Sequence, residues 1–275
     1  VISLERSDEF VPIDTEAVSQ ADKLKALNWS EQYDLDFIFS TDGDGDRPLM
    51  SDEKGEWLRG DVLGLICADA MDIEALAVPV SCNTAIEKSQ VFEYVERTKV
   101  GSPYVIAEFE ALAAKYASVA GFEANGGFLL GTDAIVNNQT IKALPTRDAV
   151  LPALMLLAAA KETSISALVN ALPQRVTHSD RIQNFATQKS LQILANAKQA
   201  PEDFLKQISF VESKIASLDT TDGLRITLVN DDIVHFRPSG NAPELRCYAE
   251  ASSIEQAKFL VNHALKNIQL INVDL

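Results

Sequence analysis

The run "ALAVPVS", Ala75–Ser81, is short, almost wholly apolar and flanked by stretches of helical spacing. A strand of that kind is buried on both faces, so it needs helices layered against its sheet. Its neighbours keep the same rhythm. Gly60 and Asp61 precede a helical "VLGLICADAM", and Ala85–Glu96 and Pro103–Tyr116 also have helical spacing. "VAGFE" (Val119–Glu123) and "GGFLLG" (Gly126–Gly131) read as two strands across a tight turn, and Arg147–Lys161 as a long helix. Upstream, "VISLE" at Val1 and "LDFIFS" (Leu35–Ser40) read as strands around a helix over Thr15–Leu27 with Asp14 or Thr15 as its cap. That is a βαβ unit whose first strand opens the chain, so the chain is expected to begin inside a domain.

After Leu172 the rhythm changes. Gln188–Lys198 is helical, Leu224–Phe236 is a hairpin turning at Asn230–Asp232, Leu245–Ala251 is a strand and Ile254–Ile268 a closing helix. The expected fold class is α/β: two layers of mixed sheet and helices, the first incomplete, then a smaller α+β domain. The boundaries read as 1–54, 55–172 and 173–275.

The 275 residues are 47% hydrophobic and 23% charged, ordinary for a globular protein. The longest apolar run, Ala149–Ala160, contains Pro152 and is too short to span a bilayer. No secretory signal is read at the start, and the three scattered cysteines suggest neither a disulfide framework nor a zinc site. A cytoplasmic location without membrane partners is expected. Against 24 Lys+Arg stand 40 Asp+Glu, a net charge of -16. Such a surface repels nucleic acid, and an anionic small substrate would need locally concentrated arginine and lysine.

Residues 40–50 read "STDGDGDRPLM". Alternate positions of extended backbone share a side, which would bring Asp42, Asp44 and Asp46 together, with Gly43 and Gly45 letting the chain curl. All-carboxylate ligation suits a hard cation, Mg²⁺ or Ca²⁺. A solvated acidic turn is the alternative. An EF-hand is excluded: Glu53 falls at its twelfth position, but Arg47 occupies the sixth, where glycine is required. Arg47 either offsets the aspartates or shares a phosphoryl group with the metal.

Two further stretches carry chemistry. In "HFRPSGNAPELR", His235–Arg246, the residues Arg237, Ser239 and Asn241 alternate at a strand exit and Gly240 frees the backbone. That pattern makes an anion nest, or an ordinary Pro-Ser-Gly turn. Arg246 returns on the next strand. In "GFEANGGFLLG", Glu123 and Asn125 suit sugar hydroxyls or cap a hairpin. His178, His235 and His263 form no cluster and read as surface or turn residues.

In order and spacing these stretches resemble the α-D-phosphohexomutase superfamily, the phosphomannomutases and phosphoglucomutases, over essentially the whole chain. The resemblance implies Mg²⁺ on Asp42, Asp44 and Asp46, with Arg47 beside the phosphoryl-transfer centre. It implies sugar hydroxyls on Glu123 and Asn125, and the phosphate of a phosphorylated hexose on Arg237, Ser239, Gly240, Asn241 and Arg246. "RTKVGSPYV" is similar to the family's Thr-x-Val-Gly segment and brings in Lys99. The implied reaction interconverts hexose 6-phosphate and hexose 1-phosphate through a phosphoserine and a hexose 1,6-bisphosphate, mannose being the leading sugar. Asn241 and Ala242 stand where the family more often has Thr-Glu, and Asn125 where many relatives have serine.

The family's serine loop, of Ser/Thr-Ala-Ser-His-Asn-Pro type, has no counterpart here; "SCNTA" and "VTHSD" do not match it. The chain is therefore expected to correspond to the later part of the second domain plus the third and fourth, and to be inactive without the N-terminal domains. Two alternatives are a non-catalytic phosphosugar-binding module and, more remotely, an aspartate-nucleophile phosphatase. Self-association through a sheet edge left at Val1 is a further expectation.

Overall fold

The computed structural model describes residues 1–5, 9–240 and 242–273. The chain divides into two compact units, Val1–Pro173 and Gln174–Leu275.

The first unit runs α1 (Gln20–Tyr33), β1 (Phe39–Thr41), β2 (Pro48–Met50), α2 (Gly60–Ala70), β3 (Ala75–Pro79), α3 (Ala85–Lys88), β4 (Tyr94–Thr98) and α4 (Ser102–Ala113). There follow β5 (Val119–Phe122), β6 (Phe128–Leu130), β7 (Ala134–Val136), β8 (Gln139–Ile141), β9 (Leu144–Asp148), α5 (Val150–Ala159), a 3-10 turn at Ala160–Glu162 and α6 (Ile165–Ala171). Its main sheet has the order β4-β3-β5-β6-β9. β4, β3 and β5 are parallel, while β6 and β9 run antiparallel. The buried run of the sequence is β3. Its Leu76 and Val78 join the core beneath α2 and α5, and its Ala75 and Ala77 pack with Val105, Phe109 and Leu112 of α4. Parallel strands align their carboxyl ends, so the loops leaving β3, β4 and β5 share one sheet edge, where ligands of such sheets bind.

Among the described residues no strand precedes α1, so the expected N-terminal βαβ unit is not seen. Val1–Glu5 contain no strand, so the described residues show no sheet edge at Val1. β1 and β2 instead form an antiparallel hairpin. α1 begins later than the spacing suggested because Ser19 accepts the Asp22 amide and caps it. Asp14 closes its own turn onto the Glu16 and Ala17 amides, and Thr15 donates to the Asn125 carbonyl. The helix expected over Ala85–Glu96 is only α3: Gln90 takes φ 58°, and Tyr94 onward pairs with β3. The helix expected from Arg147 starts at Val150, where the Asp148 carboxylate accepts the Val150 and Leu151 amides. Arg147 itself lies on β9.

The second unit runs β10 (Val176–Ile182), α7 (Thr187–Gln199), α8 (Pro201–Gln207), β11 (Ile215–Asp219), β12 (Leu224–Leu228), β13 (Ile233–Pro238), β14 (Leu245–Ala251) and α9 (Ile254–Ile268). Its antiparallel sheet has the order β10-β14-β13-β12-β11. α9 buries Ala257, Leu260, Val261, Ala264, Leu265 and Ile268, a stripe of helical period, and Ser253 caps it. This stripe and Leu194, Phe204 and Leu205 of α7 and α8 cover the face bearing Val234, Phe236, Cys247 and Ala249. Alternation then puts His235, Arg237 and Arg246 on the opposite face.

Among the described residues no single helix is long and apolar enough to cross a membrane. Val150–Glu162 and Ile165–Ala171 pass that test only together, bent by 92°.

Candidate functional site

The aspartate loop joins β1 to β2 and is held by its own first residue. The Asp42 amide donates to the Arg47 carbonyl at 3.1 Å, and Asp42 Oδ1 accepts the Gly45 and Arg47 amides at 3.1 and 3.3 Å. Gly45 takes φ 78°, which favours glycine. Residues 42–46 are therefore a turn rather than extended backbone, and the convergence expected from alternate positions does not occur. Among the described residues no three His, Cys, Asp or Glu side chains are grouped to hold a metal ion. The donor set still suits a hard cation, being all carboxylate. Moreover Asp46 Oδ1 is buried without a hydrogen-bond partner. Glu53 belongs elsewhere, accepting the Ser166 amide at 3.2 Å and the Ser166 hydroxyl at the start of α6.

Two arginines face these carboxylates. Arg47 Nη1 lies 3.7 Å from Asp42 Oδ2 and its Nε 3.9 Å from Asp46 Oδ1, while Arg147 Nη2 lies 2.8 Å from Asp46 Oδ2. Arg147 is the residue that sequence reasoning missed. A lone arginine in "LPTRDA" carries no motif, and only the pairing of β9 with β6 brings it here.

The Glu123–Gly127 turn lies against the same loop. The Glu123 amide donates to the Gly127 carbonyl, the Gly126 amide to the Glu123 carbonyl, and the Gly127 amide to Asn125 Oδ1 at 3.0 Å. Gly126 takes φ 94°, and a Cβ there would come 2.8 Å from the Pro48 carbonyl oxygen, one residue past Arg47. On its other side a Cβ at Gly60, where α2 starts, would meet the Gly126 nitrogen at 2.0 Å. A Cβ at Gly127 would stand 2.9 Å from Arg147 Cγ. The structure thus gathers Asp42, Asp46, Arg47, Arg147, Glu123 and Asn125 within one unit.

Glu123 is buried, and burial raises its carboxyl above the usual range, opposed by the Arg147 and Arg47 charges and by its bond with Asn125. A carboxylate so placed is a desolvated acceptor with cations near it, suited to accepting from polar hydroxyls. Asp44 is exposed. Lys99 leaves the carboxyl end of β4 and sits over the Tyr104 ring, 5.7 Å from its centroid. It shares the sheet edge with Glu123 but is not in the arginine and carboxylate group.

In the second unit Arg237 ends β13, with its Nε donating to Asp222 Oδ2 at 2.7 Å. The Ser239 amide donates to the Glu244 carbonyl, closing the loop between β13 and β14. Gly240 is exposed, and a Cβ there would meet nothing within 4 Å. Asn241 lies outside the described residues. Arg246 is the register partner of Arg237 on β14, its Nε 4.0 Å from Glu244 Oε2.

His235 is not a surface or turn residue. It is 1% exposed, its Nε2 lies 2.6 Å from the Asp222 carbonyl oxygen, and its ring stacks on Tyr248. Asp222 therefore fixes both His235 and Arg237. Burial pushes His235 down to about 4; the Asp222 carbonyl opposes this, and the Arg225 and Arg237 charges add to it. Between that value and the ordinary 6.5 the unfolded chain binds more protons than the folded one. Stability is thus held above about pH 6.5 and lost as pH falls toward 4, by up to about 3 kcal/mol. Urea midpoints between pH 7 and 4 should fall less steeply in His235→Gln, and an unchanged slope would refute the assignment.

Comparison with known proteins follows the same lines. Residues 59–176 match "Phosphoglucomutase/phosphomannomutase, alpha/beta/alpha domain III", and residues 176–265 match the "Phosphoglucomutase/phosphomannomutase, C-terminal domain". A phosphomannomutase of Salmonella muenchen is 57% identical over 269 residues, covering 98% of this chain and 56% of that protein. A phosphoglucomutase/phosphomannomutase family protein from Burkholderia thailandensis superposes with a TM-score of 0.64 at 20% identity, covering 91% of this chain and 50% of the other. An Aspergillus fumigatus N-acetylphosphoglucosamine mutase, solved with GlcNAc-6P and magnesium, superposes with a TM-score of 0.55 at 16% identity, covering 85% and 48%. The chain spans about half the length of the curated relatives it matches first. Two consecutive matches that together take in most of the chain, and a relative this similar, make it a member of the phosphoglucomutase/phosphomannomutase family, corresponding to that family's C-terminal portion.

Proposed function

We propose that this chain is the substrate-recognising part of a phosphohexomutase that interconverts hexose 6-phosphate and hexose 1-phosphate, with mannose preferred. The observation that carries the reading is the juxtaposition, within the first unit, of the Asp42–Arg47 loop, Arg147 and the Glu123–Asn125 turn. Asp42, Asp44 and Asp46 would hold Mg²⁺ only by drawing together from the turn in which they stand apart, and the ion when bound supplies positive charge to a transferring phosphoryl group. Arg47 stands beside that group and stabilises its charge. Arg147 holds Asp46 toward the sugar-binding turn. Glu123 and Asn125 accept and donate to sugar hydroxyls, and Lys99 approaches from the neighbouring strand end.

In the second unit Arg237, Ser239, Gly240, Asn241 and Arg246 bind the substrate's phosphate. Arg237 is held through Nε by Asp222, and its guanidinium is the bidentate donor proposed for the anion. The phosphoryl donor is a serine in the N-terminal domains, and hexose 1,6-bisphosphate is the intermediate and activator.

The test joins this chain to the N-terminal part of the Salmonella muenchen relative. Interconversion of mannose 1-phosphate and mannose 6-phosphate is then followed with Mg²⁺ and bisphosphate present. The joined protein should turn over, this chain alone should not, and Arg47→Ala in the joined protein should lose about 10³-fold in kcat. Turnover by the chain alone would overturn the need for a separate donor. A folded joined protein that binds sugar phosphate without turnover would establish the non-catalytic binding module instead.

A further inference from the structure

Three arginines stand side by side across the second unit's sheet. Arg237 on β13 is directly opposite Arg246 on β14, and Arg246 is directly opposite Arg181 on β10. Directly paired residues share a face with Cβ atoms about 5 Å apart, and like charges so placed repel. The row lies on the face away from α7, α8 and α9, at the strand ends next to the Ser239–Glu244 loop. The row behind it, His235, Tyr248 and Ser179, is uncharged on these three strands and continues on β12 as Arg225, whose own register partner on β11 is Asp219. In a chain of net charge -16, three cations on adjacent strands are the local concentration that an anionic ligand requires.

Two acidic residues flank the row. Asp222 takes Arg237 at 2.7 Å. Glu244 is loosely shared, its Oε1 3.7 Å from Arg181 Nε and its Oε2 4.0 Å from Arg246 Nε. Both distances exceed a charge-assisted hydrogen bond, so this carboxylate is a counter-charge at long range rather than a fixed ligand of either arginine. The side chains of Arg181 and Arg246 remain 44% and 37% exposed, so an incoming oxyanion can reach them.

We infer that Arg181 is an anion-binding residue, extending the phosphate subsite from the loop onto the edge strand β10, and that Glu244 holds the row's place until a phosphate dianion arrives. This rests on the proposed phosphate-binding role of the Arg237–Arg246 loop and adds a residue to it. The ligand class is a phosphate monoester, with inorganic phosphate as its simplest probe. Arg181 acts by charge across the row, so its effect is graded, and Glu244 competes with the ligand.

The test titrates inorganic phosphate and mannose 6-phosphate into the whole chain by calorimetry at low and at higher salt, with mannose as the uncharged control. Arg181→Gln should weaken phosphate binding about three- to tenfold and flatten its salt dependence, while Arg181→Lys should recover most of it. Glu244→Gln decides between roles. If Arg181 binds the anion, removing the competing carboxylate tightens phosphate binding. If Arg181 merely anchors Glu244 to shape the loop, Glu244→Gln weakens binding as Arg181→Gln does, and the inference fails. Unchanged affinity in Arg181→Gln alongside a loss in Arg237→Gln also overturns it, leaving the loop's own role intact. No phosphate binding by the unaltered chain would remove the loop's role itself, and this inference with it.

Discussion

Arg175→Met is expected to lower the unfolding free energy of the second unit by about 3–5 kcal/mol, because it strands a buried carboxylate. Arg175 Nε lies 2.7 Å from Glu250 Oε1, and the two side chains are 8% and 6% exposed. Arg175 Nη2 also donates to the Asp231 carbonyl oxygen, tying the start of β10 to the β12–β13 turn, where Asp231 takes φ 68°. Methionine keeps most of the arginine stem's volume, so the loss is chiefly electrostatic. The companion variant Arg175→Met with Glu250→Gln removes the stranded charge and should recover most of the loss. Urea unfolding of the three proteins checks this. Equal destabilisation of the single and double variants would mean that packing, not charge, governs the site.

Phe122→Ala should cost the first unit about 3–5 kcal/mol through the cavity it leaves. Phe122 is fully buried at the end of β5 and stacks on Phe128 with centroids 6.2 Å apart. α2 approaches so closely that a Cβ at Gly64 would lie 2.4 Å from the Phe122 ring. The ring thus fills the space that Gly64 leaves open. Combining Phe122→Ala with Gly64→Leu should give back part of the loss, since the new side chain enters the vacated volume. Glu123 is the next residue, so loosening β5 also loosens the Glu123–Gly127 turn. Urea midpoints and binding of mannose 6-phosphate measure the two effects. A variant with full affinity at reduced stability would show that the turn is held independently of β5.

The elements that the sequence made legible are those whose pattern is local. β3 and β5 are short apolar runs, the β12–β13 hairpin has its turn at Asn230–Asp232, and α9 carries an amphipathic stripe behind Ser253. The three motif stretches were also visible, because glycines with aspartate or with arginine and serine report backbone needs and charge together. What stayed hidden depended on distant partners. The spacing puts the start of β4 within a helix, because only its pairing with β3 makes Tyr94–Thr98 extended. The spacing predicts Asp14 or Thr15 as a cap, whereas the Thr15 hydroxyl is engaged by a carbonyl 110 residues away. Asp42 was read as one of three like ligands, yet its carboxylate closes its own turn. Arg147 and Arg181 have no motif at all. Their placement follows from strand register, which no local pattern encodes.

The backbone of the Glu123–Gly127 turn is wedged between Gly60 and Pro48, with main chain meeting main chain. A surface made that way offers few side chains to exchange. Redesigning its supports would change little without moving it, since any larger residue at 60 or 126 displaces the whole turn. Asn125, whose side chain accepts the Gly127 amide and bonds Glu123, is the position where a side chain can be exchanged without moving that backbone.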